Sequence, residues 1–155
     1  MIPEGAFIRV NFPFGDPPEA RSQPGPSLHI AYLIGSRPTE LMLAYTSSGA
    51  WRGAALPQRP IGVIEFDDTA AAELNQRAFH LDLRCLARVP LLLAWLPDWD
   101  KPDRGVVAVA SRAVKDQILT EAERLTRSSP EIIEVRGIGS GTTTTTTRRP
   151  PAVAP

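Results

Sequence analysis

The chain has 155 residues, of which 43% are hydrophobic and 22% charged, a composition typical of a single globular domain and incompatible with wholesale disorder. Its longest apolar run, Val89 to Leu96, is far shorter than the roughly 20 residues that cross a bilayer, and the N-terminus lacks the basic and apolar regions of a secretory signal. The single cysteine, Cys85, excludes an intrachain disulfide, and two histidines are too few to complete a zinc site with it. We therefore predict a cytoplasmic protein without a membrane segment, a metal or another cofactor.

The formal net charge is zero, but its distribution along the chain is uneven. Residues 140–155 contain two arginines and no acidic residue, which leaves 15 basic and 17 acidic residues in positions 1–139. Nonspecific nucleic-acid binding needs a basic face that neutralises several phosphates, so this balance disfavours a protein that coats nucleic acid. The balance is compatible with a local basic groove.

Prolines and glycines divide the first part of the chain into short extended pieces. The alternation at 6–14 predicts a strand, which Pro13 restricts to an edge or an end of a sheet. The proline-rich stretch 15–26 is longer than a simple connector, and we expect it to be a functional loop. Two apolar segments, 28–34 and 40–47, are predicted to form a hairpin across a tight turn.

Further strands are predicted at 61–66 and 79–89. The alternation in the second of them shifts phase at Leu86, which indicates a bulge or the end of the strand. Residues 105–110 are predicted to form a short apolar strand or the lead-in to a helix, and residues 131–135 a final short strand.

Two helices are predicted from their caps. Asp67 and Asp68 offer the N-cap of a short helix that ends near Asn75, and Ser111 offers that of a long helix extending to Ser128. The long helix carries a one-sided apolar stripe, which predicts that it packs on the sheet. The stripe consists of Val114, Ile118, Leu119, Ala122 and Leu125.

These elements predict a mainly β (α+β) fold, in which a small twisted antiparallel sheet curls into a half-open barrel with one C-terminal amphipathic helix packed on it. Residues 1–138 are predicted to form this single domain. Residues 139–155, which contain six consecutive threonines and a proline-rich end, are predicted to form a disordered tail.

The familiar motifs of nucleotide-binding proteins, zinc proteases and α/β-hydrolases do not occur in the sequence. His80 and Asp82 share one face of a predicted strand, about 7 Å apart, which is compatible with general base catalysis or a weak metal site. The simpler interpretation, which we favour, is that both point to solvent. His29 lies within an apolar strand and is predicted to be a hydrogen-bonded core or interface histidine.

Three consecutive hydroxyl residues end the strand at 40–47, in the segment AYTSSG at Ala44 to Gly49, and Arg52 follows them. Hydroxyl groups and an arginine together can hold a phosphate group without a metal ion. Turn formation and capping are the alternative roles for Thr46 and Ser47.

The order of these segments resembles the MazF/PemK (Kid) toxins of type II toxin–antitoxin systems. The resemblance lies in the G-x-x-x-x-V-x-F-P-F motif at Gly5 to Phe14, the apolar strand at Leu28, and A-Y-T-S-S at Ala44 to Ser48. The segment LDLRCLARVP at Leu81 to Pro90 is similar to the family's later strand, and Ser111 to Leu125 to its closing helix.

The resemblance spans about residues 4–126, and it implies an SH3-like, PemK-type barrel that forms a homodimer and binds a cognate antitoxin protein. It also implies a metal-independent endoribonuclease that cleaves single-stranded RNA. In that reaction the ribose 2′-OH attacks the adjacent phosphorus, an arginine stabilises the phosphorane, and a threonine or serine holds a phosphate oxygen.

Thr46, with Ser47 beside it, matches the family's active threonine. The family's arginine corresponds to Gly25 in this chain, which is a departure from the pattern. Arg21 and Arg52 are the nearby candidates to replace it. This departure leaves a second hypothesis open, in which the protein is a catalytically inactive PemK-like barrel that acts as a protein-binding module. A third hypothesis is an unrelated β-barrel enzyme that uses His80 and Asp82.

Overall fold

The computed structural model describes residues 2–13, 27–49, 60–128, 132–138 and 143–149, which form eight strands and two helices. The helices are α1 (Asp68–Ala72) and α2 (Arg112–Ser128). The strands are β1 (Ala6–Phe12), β2 (Ser27–Ser36), β3 (Glu40–Ser48), β4 (Val63–Phe66), β5 (Phe79–Pro90), β6 (Val106–Val109), β7 (Ile132–Ile138) and β8 (Thr143–Arg149).

All described strands belong to one sheet, in the order β6-β1-β2-β3-β5-β7-β8, with β4 paired to β5 beside this path. Every pairing is antiparallel except that of β5 with β7, which is parallel. The described strands form an open path from β6 to β8. The predicted mainly β, antiparallel α+β class is confirmed, as is the predicted hairpin of β2 and β3.

Strand β5 contains the predicted irregularity. Asp82 pairs with Tyr45 and Leu86 with Ala44, so three residues of β5 lie between consecutive pairs with β3, which is a bulge. Asp82 stabilises the bulge, because its carboxylate accepts hydrogen bonds from the backbone N–H of Arg84 at 3.0 Å and from its guanidinium at 3.0 and 2.8 Å.

The expectation that His80 and Asp82 point to solvent is wrong, since they are only 7% and 2% exposed. Strand β5 lies in the middle of the sheet, between β3 on one side and β4 and β7 on the other, and both of its faces are covered. The polar residues tolerate burial because each has a hydrogen-bond partner: Asp82 bonds to Arg84, and His80 to the carbonyl oxygen of Gly49.

The two faces of the sheet bury separate hydrophobic clusters. The first core lies between the sheet and the segment after β5, which contributes the buried Trp95 and Leu96. The second core lies between the sheet and the two helices, to which α2 contributes Ile118 and Leu125.

Helix α2 begins as predicted, with the hydroxyl of Ser111 accepting a hydrogen bond from the backbone N–H of Val114 at 3.3 Å. The predicted apolar stripe is wrong at Leu119, which is 59% exposed. A residue directly after the buried Ile118 is rotated about 100° around the helix axis and therefore leaves the packed face. Helix α2 is also not the last element, because β7 and β8 follow it.

The threonine-rich segment differs from the predicted disordered tail. Residues Thr143–Arg149 form β8, which pairs antiparallel with β7 from Ile138 opposite Thr143 to Ile132 opposite Arg149. Threonine is β-branched and favours strands, so a threonine run joins a sheet where a neighbouring strand offers free backbone groups. Residues 139–142 and 150–155 lie outside the described residues.

Candidate functional site

An open groove of about 860 Å³ lies on the second-core side of the sheet, where β3 ends and β2 begins. Its floor is apolar, and the polar side chains among its described lining residues carry hydroxyl groups, one imidazole, one side-chain amide and two guanidinium groups. None of the described residues that line it carries a carboxylate. We call it the β3 groove; its floor is formed by Phe7, Ile30, Phe79 and Val107, and its polar lining includes Arg9, Thr46, Ser48, Gln76 and Arg77.

Side chains, and not backbone pairs, connect β2 and β3 beside the groove. The backbone pairing of the two strands ends at Tyr32 and Ala44. Beyond this point the hydroxyl of Thr46 donates to the carbonyl oxygen of Ile30, and Nδ1 of His29 donates to the carbonyl oxygen of Thr46 at 3.0 Å. His29 is thus hydrogen-bonded and partly buried, as predicted from the sequence.

Thr46 lies in the wall of the groove with its hydroxyl hydrogen engaged by the protein itself. Its side chain is largely buried, and the residue is 7% exposed. A phosphate oxygen in a diester can only accept hydrogen bonds, so Thr46 can hold a phosphate group only by giving up its bond to Ile30.

Ser47 lies on the other face of β3. Thr46 pairs with Leu81, which belongs to the second core, whereas Ser47 pairs with His80. Since successive side chains of a strand point to opposite faces, the hydroxyl groups of Thr46 and Ser47 diverge. His80 Nδ1 donates to the carbonyl oxygen of Gly49 at 3.1 Å, so the two histidines together hold the end of β3.

Arg9 and Arg77 supply the positive charge of the groove, and both are exposed. Arg9 lies 3.6 Å from the carboxylate of Asp98, which also lies 2.9 Å from the ammonium group of Lys101. The hydrogen bond from Lys101, with the charges of Lys101 and Arg9, holds the pKa of Asp98 below its ordinary value. Arg77 has no described carboxylate within ion-pair distance, so its charge is not offset by such a neighbour.

The segment that carries Gln76 and Arg77 connects α1 to β5, and hydrogen bonds fix it at both ends. Asn75 has φ of 57°, in the left-handed region that asparagine tolerates, and its side-chain amide donates to the carbonyl oxygen of Val107 at 3.1 Å. The backbone N–H of Gln76 donates to Ala71 at 3.0 Å, and that of Gly49 donates to Ala78 at 2.8 Å. The connection therefore joins β6, α1 and the end of β3.

Of the residues singled out from the sequence, Thr46 and Ser47 lie at the border of the groove, and Arg21, Gly25 and Arg52 lie outside the described residues. Sequence reasoning missed Arg9 and Arg77. Arg9 could have been found from the sequence, because it is the charged residue of β1 and alternates with the apolar residues that enter the first core. Arg77 lies in a connection without periodicity and gives no such signal.

His80 and Asp82 do not form a reactive pair, since each is engaged with a different partner. Within the described ranges, no group of three or more His, Cys, Asp or Glu side chains is arranged to hold a metal ion, and no helix has the length and hydropathy to span a membrane. Comparisons with protein-family models, with curated proteins and with solved structures found no match to this chain.

Proposed function

We propose that the β3 groove binds single-stranded RNA and that the protein is a metal-independent endoribonuclease of the MazF/PemK toxin type, with the SH3-like barrel fold of that family. The observation that carries the proposal is the convergence of two arginines and the Thr46 wall in a groove whose described lining contains no carboxylate. The sequence resemblance supplies the reaction class, and the groove supplies a site for its substrate.

The charges and the shape of the groove suit a phosphodiester chain. Two exposed guanidinium groups attract and orient phosphate groups, and an acid-free lining avoids repulsion. The apolar floor, with Ile30 and Val107, offers contacts to the flat faces of unstacked bases, which only single strands present freely. A volume of about 860 Å³ accommodates a short segment of such a chain.

Cleavage in this proposal follows the reaction that the family resemblance implies. The ribose 2′-oxygen loses its proton and bonds to phosphorus, the bond to the 5′-oxygen breaks, and the departing 5′-oxygen takes up a proton, so that the products end in a 2′,3′-cyclic phosphate and a 5′-hydroxyl. Arg77, whose guanidinium lacks a described ion-pair partner, is the arginine of the groove best suited to stabilise the phosphorane charge. Arg21 and Arg52 remain the candidates from outside the described residues.

The experiment that tests binding is fluorescence anisotropy with a labelled seven-nucleotide RNA, over a series of salt concentrations. We expect Arg77→Ala to weaken binding and to reduce the salt dependence by about one phosphate contact. Arg124→Ala is the matched control, because Arg124 is an exposed arginine of α2 outside the groove. Equal affinity of wild-type protein and Arg77→Ala would contradict the assignment of the groove.

Cleavage is tested by inducible expression followed by primer-extension mapping of cellular RNA. We expect cleavage in a host without an antitoxin, its loss in Arg77→Ala, and no effect of a chelator on purified protein. The proposal includes a homodimer and a cognate antitoxin. Sedimentation of the purified protein at a monomer mass would contradict the homodimer.

The second candidate is a catalytically inactive PemK-like barrel that acts as a protein-binding module. The hydrogen bond from the Thr46 hydroxyl to Ile30 favours this candidate. The family resemblance implies that Thr46 holds a phosphate oxygen, but its hydroxyl hydrogen is already bonded within the protein. Intact RNA and unimpaired growth on expression of the wild-type chain would favour this candidate over the endoribonuclease.

A further inference from the structure

Gln76 occupies a fixed position at the border of the β3 groove. It is half-buried, it lines the groove, and it lies between Asn75 and Arg77 in the connection from α1 to β5. Its backbone N–H donates to the carbonyl oxygen of Ala71, and the preceding residue is attached to β6 through its side chain. Both bonds restrict the backbone at Gln76, so its side chain starts from a defined place in the groove.

The chemistry of Gln76 differs from that of the other polar residues that line the groove. Among the described lining residues it alone carries a side-chain amide, which presents a hydrogen-bond donor and an acceptor side by side. A guanidinium group only donates. An amide of this kind matches a base edge that offers one acceptor and one donor, as adenine does with N7 and N6.

We propose that Gln76 is the specificity-determining residue of the β3 groove, where it recognises one base of the bound RNA, with adenine preferred, while Arg77 beside it contacts the phosphate backbone. This inference rests on the proposed RNA binding and adds to it a base preference and the residue that sets it. Asn75 is a positioning residue, which acts through its bond to the carbonyl oxygen of Val107.

The test uses four labelled seven-nucleotide RNAs that contain six uridines and one central A, C, G or U. Their riboses carry 2′-fluoro groups, so that no 2′-hydroxyl is available for cleavage. Anisotropy titrations give the affinity of each RNA for wild-type protein and for variants. We expect wild-type protein to bind the adenine-containing RNA about 5- to 150-fold more tightly than the guanine-containing RNA, the range of one bidentate base contact.

Two variants of Gln76 separate base recognition from general binding. Gln76→Ala removes both hydrogen-bonding groups, and we expect the four affinities to converge. Gln76→Glu replaces the donor by an acceptor, and we expect the preference to change from adenine to guanine, whose N1 and N2 both donate. Gln117→Glu is the matched control, because Gln117 is exposed on α2 and carries the same charge change away from the groove.

The positioning role of Asn75 is tested by Asn75→Gly, which keeps the tolerance for positive φ and loses the donor to Val107 without adding a charge to the groove. We expect the adenine preference to decrease while the salt dependence is unchanged. A variant that loses stability but keeps the wild-type preference would contradict this role.

The outcomes distinguish the two proposals. If wild-type protein binds none of the four RNAs, the proposed function fails, and the role of Gln76 fails with it. If wild-type protein binds all four equally, or if Gln76→Ala and Gln76→Glu keep the wild-type preference, RNA binding stands and the assignment of Gln76 is overturned. An equal change of preference in Gln117→Glu would also overturn it.

Discussion

The hydroxyl of Thr46 is expected to stabilise the folded protein, whatever its part in function. It donates to the carbonyl oxygen of Ile30 at a residue that is only 7% exposed. Thr46→Val preserves the shape of the side chain but removes the bond to this half-buried carbonyl, which costs about 0.5–1.5 kcal/mol. For a chain of this length, that loss corresponds to a decrease of roughly 1–6 °C in the melting temperature.

Urea unfolding at 25 °C, followed by tryptophan fluorescence, to which the buried Trp95 contributes, measures this change in the free energy of unfolding. Thr126→Val is the matched control, because Thr126 makes the same kind of bond, to the carbonyl oxygen of Ala122 at 3.0 Å, at an exposed position of α2. We expect a loss of less than about 0.5 kcal/mol there. Equal losses in Thr46→Val and Thr126→Val would refute the reasoning.

The same residue separates stability from activity when Thr46→Ser is added. Serine keeps the hydroxyl and loses one methyl group, which costs about 1 kcal/mol at a buried site. If the proposed reaction uses this hydroxyl, RNA cleavage is lost in Thr46→Val and kept in Thr46→Ser, while RNA affinity changes little in either variant. Cleavage that persists in folded Thr46→Val would remove Thr46 from the reaction.

Four further predictions concern packing and charge. Ile118→Asp places a carboxylate in the second core and is expected to unfold the protein, whereas Leu119→Asp, at the exposed neighbour, should leave the melting temperature almost unchanged. Deletion of residues 139–155 removes β8 and should lower the melting temperature, because β7 loses its antiparallel partner; an unchanged value would contradict the pairing. Asp98→Asn should raise RNA affinity a few-fold by removing a negative charge beside Arg9, and weaker binding would contradict this. Folding lowers the pKa of Asp98 below its ordinary value of 3.8. The ion pairs of Asp98 therefore stabilise the protein fully above pH 3.8, and this stabilisation is lost as the pH falls through the lower pKa of the folded state. Acid unfolding of the wild-type protein and of Asp98→Asn measures this contribution.

The strands and helices were predictable because their apolar residues recur at the period of a strand or of a helix, even though the sheet buries a core on each face. Helix α1 begins where Asp67 caps it, with the carboxylate accepting from the backbone N–H of Ala70 at 2.9 Å. Strand β5 was predicted in position and in its bulge but not in burial. Its alternation of apolar and polar residues is typical of a half-exposed strand, whereas hydrogen bonds to Arg84 and Gly49 allow its polar residues to be covered.

The site was less predictable than the fold, since it is assembled from elements distant in sequence. The hydroxyl cluster at Thr46 was visible because three such residues follow one another. Arg77 comes close to it only through the sheet order, which places β3 beside β5, and through the bonds that fix the connection before β5. A local pattern carries no information about that proximity, so composition and periodicity could not identify the arginine.

The divergence of Thr46 and Ser47 changes what the groove can do with a phosphate group. Adjacent hydroxyl residues on a strand cannot hold one phosphate together, because their side chains point to opposite faces. In the β3 groove the guanidinium groups and the exposed hydroxyl of Ser48 can contact a phosphate, and Thr46 contributes mainly by joining β3 to β2. The two histidines support the same arrangement from their bonds to Thr46 and Gly49. The end of β3 thus forms a hydrogen-bonded wall, and Arg9 and Arg77 beside it provide the positive charge that the proposed RNA binding requires.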